Sequence, residues 1–358
     1  MTKLDDQRGE TDGRVGSAPP SALSLWFTAP REIEFRPSAI RAPREGEVRI
    51  RARYSGISSG TEMLVYRGLV PAHIPLDRTI PTLEGSFGFP IKYGYASVGE
   101  VVEVGPGVAG IRAGDMVFAF NPHETEYTLS ARFVIKLPAE VEPREGVFLA
   151  NLETAVNALL DAAPRLGERL VIFGQGVVGL LITQLARRAG LDCVIACDPI
   201  EKRRALSLLF GADAALGPQD ENTRARVLEL TGGAGADLVI EASGHPVALD
   251  QAIKLAGVEG RIVVVSWYGL KPVSLALGDE FHRNRITIKS SQVSRLDPSL
   301  GPLWTYERRQ GVARSYLGKL RLREMISDVI PFKDAIRAYR LVDERPEDII
   351  QVVLDFGG

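Results

Sequence analysis

The sequence predicts an α/β protein in which a β-barrel-like region precedes a doubly wound parallel sheet. Residues 22–137 consist of short β patterns broken by glycine and proline, which is typical of an all-β barrel. After residue 151, short apolar runs alternate with segments of helical period, which is typical of a parallel sheet with helices on both faces. The apolar run 170–173 leads into three glycines spaced as in a nucleotide-binding turn.

The bulk composition is that of an ordinary globular protein. The chain has 358 residues, of which 45% are hydrophobic and 25% charged, and this length favours two domains. A net charge of −2 gives no basis for binding nucleic acid or an anionic membrane. No apolar run is long enough to span a bilayer, and the start of the sequence lacks a signal-peptide pattern. We therefore expect a cytoplasmic protein whose partner is a small molecule.

The two cysteines, Cys193 and Cys197, lie in one predicted strand. Their separation along an extended chain is too large for disulfide geometry. We expect them to be buried core residues in a reducing cytoplasm, rather than a redox pair or a metal site.

Changes in pattern divide the chain into four parts. We expect a disordered leader at 1–21, a first domain at 22–150, a nucleotide-binding domain at 151–297 and a C-terminal part at 298–358. The strands of the predicted parallel sheet are 170–173, 193–197, 213–216, 237–241, 261–267 and 286–291. The predicted helices of this domain are 151–162, 176–189, 200–210, 223–231 and 246–257. The C-terminal part is predicted to contain a helix at 332–342 and a strand at 349–356.

The glycine turn predicts how a dinucleotide is held. Gly174 allows a tight turn, Gly176 lets the backbone approach a pyrophosphate, and Gly179 allows the helix to pack closely on the strand. The pyrophosphate then lies at the positive end of that helix. The other loop residues expected at the cofactor are Gln175, Val177 and Val178.

The second strand of this unit ends in Asp198. A carboxylate at this place accepts hydrogen bonds from the ribose hydroxyls and repels a 2′-phosphate. The sequence therefore predicts NAD as the cofactor in preference to NADP.

Several further motifs occur in the order known from one superfamily. They are Gly60-Thr61-Glu62, Gly94-Tyr95-Ala96-Ser97-Val98-Gly99, Gly114-Asp115, Glu241-Ala242-Ser243-Gly244 and Gly260-Arg261-Ile262-Val263. In these motifs, and over residues 25–356, the chain resembles the medium-chain dehydrogenase/reductase superfamily. The resemblance implies a GroES-like β-barrel domain, an inserted Rossmann domain with a doubly wound six-stranded parallel sheet, and a C-terminal return to the first domain.

The zinc ligands of the alcohol dehydrogenases in this superfamily are replaced. Their positions hold Ser59, Tyr95, Ala96 and a residue near Ala150, and neither a hydroxyl nor a phenol substitutes well for thiolate or imidazole toward Zn²⁺. The four clustered cysteines of the structural zinc loop are also missing. Glu153 lies near the lost ligand position, but a single carboxylate does not hold zinc. We therefore expect no metal.

Hydride transfer also needs a group that moves the hydroxyl proton. The resemblance implies that Thr61 starts a proton relay, although the relay histidine is replaced by Leu64. Tyr95 replaces a zinc ligand, so its phenol is expected to face the reaction centre, the alternative being an aromatic packed in a collapsed metal site. Ser59 is expected either to hydrogen-bond the substrate or to fill space. His123 is a second acid/base candidate, but its turn context favours a surface histidine.

The resemblance implies further cofactor contacts. They are Thr154 against the nicotinamide, Arg203 near the adenosine ribose, Ala242 and Ser243 after the fourth strand, and Val265, Ser266 and Trp267 after the fifth. For Trp267, a core aromatic is an equal alternative. Tyr268 and Gln292 are expected to line the pocket. A positive charge from Lys92 or from the nicotinamide is expected to favour the ionised form of Tyr95.

The segments 55–62 and 94–99 resemble the branch that contains hydroxyethyl-bacteriochlorophyllide dehydrogenase, which oxidises a secondary alcohol on a large ring. The loop 66–92 between them carries Arg67, His73 and Arg78. This loop either shapes a pocket for a bulky substrate or is a solvated surface loop.

We therefore expect a zinc-independent, NAD(P)-dependent oxidoreductase that acts on a secondary alcohol/ketone pair. The alternatives are a reductase of activated C=C bonds and a non-catalytic dinucleotide-binding protein. The apolar β run 273–277 follows the fifth strand, where related enzymes pair two subunits, and it predicts a homodimer.

Overall fold

The computed structural model describes residues 21–77, 80, 82, 83 and 85–357. The leader expected at 1–21 lies outside the described residues, apart from Ser21, at which the first strand begins. Arg78 of the long loop also lies outside them.

The first part of the chain is built from strands with a short helix between the third and the fourth. Its elements are β1 (Ser21–Ala29), β2 (Glu32–Ala39), β3 (Glu47–Ile57), α1 (Thr61–Tyr66), β4 (Ser97–Val104), β5 (Met116–Ala119), β6 (Glu126–Ser130) and β7 (Val134–Lys136).

The second part alternates strands and helices. Its elements are α2 (Leu149–Ala162), β8 (Arg169–Phe173), α3 (Val177–Ala186), β9 (Cys193–Cys197), α4 (Glu201–Leu209), β10 (Ala214–Leu216), α5 (Thr223–Leu230), β11 (Ala236–Glu241), α6 (Pro246–Leu255), β12 (Ala256–Val264) and β13 (Thr287–Ser290). The chain ends with α7 (Tyr306–Tyr316), β14 (Ile326–Pro331), α8 (Ala335–Glu344) and β15 (Gln351–Asp355). Each helix within the described residues is too short or too polar to cross a membrane.

The strands of the second part form a fully parallel sheet. The order β10-β9-β8-β11-β12-β13 shows that the chain starts in the middle and winds outwards in both directions. Helices cover both faces, so β8 is buried on both sides, and the residues from Leu170 to Phe173 are at most 2% exposed. The predicted doubly wound six-stranded sheet is confirmed.

In the first part, β1 and β2 pair with each other in a separate two-stranded sheet, while strands β3 to β7 form a mainly antiparallel sheet with the C-terminal strands. Its order is β14-β15-β3-β4-β5-β7, and β6 pairs with β3. Strand β15 runs antiparallel to β3, with Val353 opposite Gly56. The C-terminal return implied by the resemblance is therefore a pairing of two strands that are far apart in sequence.

The sequence patterns did not predict helix α1, helix α7 or strand β14. Helix α7 is polar over most of its surface, and its buried residues are Arg309 and Ala313. Its sequence therefore lacks the apolar residues at helical spacing from which a helix is predicted. The strand prediction for 273–277 is wrong for the single chain. The amide of Ala276 donates to Asp250 Oδ1 at 2.9 Å, and β13 takes the place beside β12.

Candidate active site

The glycine turn between β8 and α3 has the geometry that a dinucleotide site requires. Gly174 has φ +87°, and a Cβ there would lie 2.6 Å from the backbone N of Ser243. At Gly179 a Cβ would lie 1.8 Å from the carbonyl O of Gly174. At Gly176, in contrast, a Cβ would meet nothing within 4 Å, so this side of the turn is open to a ligand. The first amides of α3, at Val177 and Val178, have no side-chain cap, which leaves them free to bind an anion.

The side chain of Gln175 packs beneath the glycine turn, on the side that faces the protein interior. Its side chain is fully buried, and its Oε1 accepts a hydrogen bond from Thr183 Oγ1 at 2.9 Å. The side chain therefore points into the protein, and a contact of Gln175 with a cofactor is limited to its backbone.

Asp198 at the end of β9 is 2% exposed, and its two oxygens accept hydrogen bonds from the backbone. Oδ2 accepts from the amide of Gln175 at 2.7 Å, and Oδ1 accepts from the amide of Ile200 at 2.8 Å. The carboxylate thus links the glycine turn to the start of α4. Its remaining lone pairs are the acceptors on which the predicted ribose contact depends.

Arg203 on α4 lies next to this carboxylate but is held mainly by the C-terminal segment. Its Nη1 is 3.9 Å from Asp198 Oδ2, and its Nη2 donates to the carbonyl of Pro346 at 2.7 Å and of Ile349 at 3.2 Å. Burial lowers the pKa of Arg203, while the charge of Asp198 raises it. These carbonyls of residues 346–349 could not be found from the local sequence.

The carboxyl end of β11 is organised by Glu241, which is fully buried. Its Oε1 accepts from the amides of Ser243 at 2.7 Å and Gly244 at 3.1 Å, and its Oε2 accepts from Tyr268 OH at 2.8 Å. Burial and the charge of Glu241 raise the pKa of Tyr268. Ser266 Oγ also accepts from the amide of Gly244, at 2.7 Å. The turn after β11 and the loop after β12 are therefore fixed to each other.

The remaining predicted cofactor residues line this edge of the sheet. Thr154 on α2 is half-buried, and its hydroxyl donates to the carbonyl of Ala150 at 3.2 Å. The exposed or half-buried residues of the two turns are Ala242, Ser243, Val265, Ser266 and Trp267. Trp267 is 37% exposed, so it is not the core aromatic of the alternative interpretation.

A row of aromatic rings connects this edge to the first domain. The ring centroids of Trp267 and Phe87 are 5.5 Å apart, those of Phe87 and Tyr93 are 5.5 Å apart, and those of Tyr93 and Tyr95 are 6.0 Å apart. Phe87 belongs to the loop 66–92 and is 7% exposed. This part of the loop packs against the nucleotide-binding sheet, as the pocket-shaping interpretation requires.

Tyr95 lies at the end of this row and meets two hydroxyl groups. The side-chain hydroxyls of Ser58 and Thr61 lie beside its phenol and act to lower its pKa. Burial, and to a smaller extent the negative charge of Glu62, raise the pKa of Tyr95 to about 12, although the two hydroxyls act in the opposite direction. Thr61 and Tyr95 are thus brought together as expected, while the second hydroxyl comes from Ser58. The neighbouring Ser59 is half-buried on the same loop.

Lys92 does not supply the positive charge expected beside Tyr95. Its ammonium forms an ion pair with Glu124, whose Oε2 also accepts from Asn121 Nδ2 at 3.4 Å. The expectation that Lys92 ionises the phenol is therefore wrong. With a raised pKa, Tyr95 is a neutral hydrogen-bond donor at pH 7.

His123 is fully buried, so its interpretation as a surface turn histidine is wrong. Strand β1 covers it, with the amide of Leu25 donating to the His123 carbonyl at 3.0 Å. Its Nε2 lies 2.7 Å from Glu62 Oε1, and its Nδ1 lies 2.6 Å from Ser55 Oγ. Tyr339 OH donates to the same Glu62 oxygen, and the amide of Ser58 donates to Glu62 Oε2 at 3.0 Å.

Glu153, near the lost zinc ligand position, is engaged by an arginine from α7. Arg309 Nη2 lies 2.6 Å from Glu153 Oε1, and both side chains are at most 6% exposed. Arg309 Nη1 also donates to Asn157 Oδ1 at 2.8 Å. A buried pair of this kind neutralises the carboxylate, so Glu153 is a structural partner of α7 rather than a free ligand.

The two halves of the chain match two protein-family models. The model of the alcohol dehydrogenase GroES-like domain matches residues 44–138, and the model of zinc-binding dehydrogenases matches residues 177–301. The matched ranges contain Gly60-Thr61-Glu62, the 94–99 motif, Gly114-Asp115, Glu241-Ala242-Ser243-Gly244 and Gly260-Arg261-Ile262-Val263, while Gly174 and Gly176 lie between them.

Curated relatives and a solved structure resemble the whole or most of the chain. The chain is 29% identical over 355 residues to D-guloside 3-dehydrogenase of Escherichia coli, covering 93% of this chain and 99% of that protein. It is 29% identical over 275 residues to (R,R)-butanediol dehydrogenase of Bacillus subtilis, covering 69% of this chain and 76% of that protein. A short chain alcohol dehydrogenase from Escherichia coli, solved in complex with NADH, has a TM-score of 0.75 at 20% identity, covering 94% of this chain and 99% of that chain.

Proposed function

The chain belongs to the medium-chain dehydrogenase/reductase superfamily and is an alcohol dehydrogenase-like oxidoreductase, and we propose that it transfers hydride between NAD(H) and a secondary alcohol/ketone pair without zinc. The observation that carries the proposal is the Thr61 hydroxyl beside the Tyr95 phenol, at the position of a lost zinc ligand. The aromatic row connects this pair to the carboxyl edge of the parallel sheet, where the glycine turn is open to a dinucleotide.

The residues at the zinc position do not fit the metal. Zinc sites of catalytic type use three protein ligands from thiolate, imidazole or carboxylate groups. Here Tyr95 and Ala96 stand at two of the positions, Glu153 is paired with Arg309, and Glu62 accepts hydrogen bonds at both of its oxygens. This donor set supports a reaction in which hydrogen bonds, rather than a Lewis acid, stabilise the developing alkoxide.

A nicotinamide dinucleotide held at the glycine turn of Gly174, Gly176 and Gly179 would supply the hydride for reduction of a carbonyl group. The neutral Tyr95 phenol donates a hydrogen bond, and then its proton, to the carbonyl oxygen, which becomes the alcohol hydroxyl. The hydroxyls of Ser58 and Thr61, which act to lower the pKa of Tyr95, stabilise the phenolate that this leaves until it is protonated again. In oxidation the same proton moves in the opposite direction, so Tyr95 must first be ionised.

The preference for NAD over NADP rests on Asp198. Its carboxylate is fixed by two backbone amides, so it cannot turn away from a 2′-phosphate. Arg203 is the competing feature, but its guanidinium donates to carbonyls of the C-terminal segment. Titration by tryptophan fluorescence should show tighter binding of NADH than of NADPH, and Asp198→Asn should reduce the difference. Tighter NADPH binding in the wild type would refute the preference.

We also propose a cytoplasmic homodimer. Strand β13 ends the parallel sheet, and the neighbouring segment 273–277 has half-buried and exposed apolar residues, such as Leu277 at 46% exposure. Pairing two sheets at this edge would cover both features. Light scattering at micromolar concentration should give twice the mass of one chain, and a monomer mass would contradict the proposal.

The experiment for the whole proposal combines metal analysis with a substrate panel. Cofactor turnover is measured with vicinal diols, sugar derivatives, ketones and enones, before and after a chelator. We expect turnover of alcohols or ketones that the chelator leaves unchanged, with zinc well below one ion per chain. Stoichiometric zinc or chelator-sensitive turnover would refute zinc independence, and turnover of enones alone would favour C=C reduction. Cofactor binding without any turnover would favour a non-catalytic protein.

A further inference from the structure

His123 contacts both chain segments that carry the proposed proton-transfer pair. Through Nε2 it contacts Glu62, the residue after Thr61, at 2.7 Å. Through Nδ1 it contacts Ser55 Oγ at 2.6 Å, and this hydroxyl is also 3.0 Å from the carbonyl of Ala96, the residue after Tyr95. The imidazole therefore links the loop before α1 to the segment that precedes β4.

The backbone before Tyr95 is also shaped around this ring. Gly94 has φ +131°, a conformation that favours glycine, and a Cβ there would lie 2.8 Å from His123 Cδ2 and Nε2. The residue before Tyr95 thus lies flat on the imidazole, while the residue after it is reached through Ser55. A single buried side chain fixes both flanks of the tyrosine.

The contact between His123 and Glu62 extends to the phenol itself. Because Glu62 Oε2 accepts from the amide of Ser58, the carboxylate holds the segment whose hydroxyls, on Ser58 and Thr61, lie beside the phenol of Tyr95. Since a carboxylate only accepts hydrogen bonds, Nε2 is the donor, and the bond is charge-assisted. Removing that donor leaves the fully buried carboxylate of Glu62 with one hydrogen-bond partner fewer. The resulting free-energy cost favours a shift of the loop that carries Ser58.

We propose that His123 is a positioning residue, which through Glu62 and Ser55 holds Thr61, Ser58 and Tyr95 in the geometry for proton transfer. Its ring is fully buried and its two nitrogens are engaged, so it does not itself meet substrate or cofactor. This inference rests on the proposed function, because it presupposes that Tyr95 moves the proton.

Two substitutions separate the Nε2 contact from the Nδ1 contact. The amide of glutamine places a nitrogen near the position of Nε2, so His123→Gln retains a donor to Glu62. The amide of asparagine reaches only the position of Nδ1, so His123→Asn loses that donor and keeps a partner for Ser55. Tyr127→Phe is the matched control, because it removes a buried hydroxyl that bonds Ser97 Oγ at 2.9 Å in the same sheet.

Steady-state kinetics, NADH titration and thermal unfolding are measured for these variants together with Tyr95→Phe. We expect His123→Asn to lower kcat about 10- to 100-fold, because a misplacement of about 1 Å in a proton donor costs up to this much. We expect His123→Gln and Tyr127→Phe to stay within about threefold of the wild type, and all three to bind NADH as the wild type does. If His123→Asn does not fold, Ser55→Ala breaks the other contact and should lower kcat about three- to tenfold.

The inference is overturned if His123→Asn keeps wild-type kcat, or if the Asn and Gln variants lose kcat and melting temperature in parallel. A merely structural histidine would give the second result. Failure of the proposed function looks different: Tyr95→Phe would then retain wild-type kcat whatever His123 does. If Tyr95→Phe loses kcat and His123→Asn does not, the role of Tyr95 stands and that of His123 is refuted.

Discussion

The oxidation of an alcohol by this protein should depend steeply on pH, because Tyr95 must lose its proton before it can accept one from the substrate. Burial raises the pKa of Tyr95 to about 12, which is about five units above neutral pH. Only about one phenol in 10⁵ is then ionised at pH 7, and keeping it ionised there costs about 7 kcal/mol. The ionised fraction increases with pH until the pKa is reached.

The expected profile follows from this arithmetic. The rate constant kcat/KM for alcohol oxidation should increase about tenfold per pH unit between pH 7 and pH 10, without a plateau in that range. A bound nicotinamide cation would lower the pKa of the phenol, so a plateau would begin at that lower pKa, with the same slope below it. Ketone reduction uses the neutral phenol and should be nearly independent of pH over the same range.

The assay compares the wild type with Tyr95→Phe in both directions, with NADH absorbance as the signal. The variant should lose about 10²- to 10⁴-fold in kcat, as expected for removal of a general acid/base, and its oxidation should lose the steep pH dependence. NADH affinity should be unchanged, since the phenol is not part of the glycine turn. If Tyr95→Phe retains the slope of the wild type, another group controls the proton and the reasoning from Tyr95 is refuted.

Two further pairs of substitutions test the cofactor turn and the buried ion pair. Gly176→Ala should fold with wild-type stability and bind NADH weakly, because the added Cβ contacts no protein atom and extends into the space expected for the cofactor. Gly179→Ala should lose about 1 to 3 kcal/mol or more of folding free energy, because the added Cβ would overlap the carbonyl oxygen of Gly174. Equal melting temperatures with equal NADH affinities would contradict this. Arg309→Met and Glu153→Gln should each lower the free energy of unfolding by about 3 to 5 kcal/mol, and the double variant by less than the sum. Additive losses in denaturant unfolding would show that the two side chains are not coupled.

The parts of the fold that depend on local pattern could be predicted from the sequence. Strand β8 is a continuous apolar run because both of its faces are covered, and the glycines after it follow from steric contacts with immediate neighbours. Helix α7 could not be predicted, because its buried Arg309 binds Glu153 from a distant helix and leaves no apolar period. A charged residue that is buried only through a tertiary partner looks like a surface residue in the sequence.

The same reason explains what was found and missed in the site. Thr61 and Tyr95 belong to family motifs, so their positions could be aligned without knowing any contact. The burial of His123 depends on strand β1, and the charge of Lys92 is engaged by the ion pair with Glu124; neither contact has a local signature in the sequence. The left-handed conformation of Gly94, which lets the chain pass close to the ring of His123, is seen only in the structure.

The pairing of β15 with β3 also sets the order in which the chain can assemble as it is synthesised. The parallel sheet uses strands that follow one another from Arg169 to Ser290, so all of them have emerged before β15 is made. Strand β3 is made early and pairs with β4 and β6, but its pairing with β15 must wait for a strand near the other end of the described chain. Pairing across such a separation is slow, and a unit contiguous in sequence folds first. We therefore expect the nucleotide-binding domain to fold first. The sheet that contains β3 and β4, which follows Tyr95 in the chain, is then completed last by the pairing with β15.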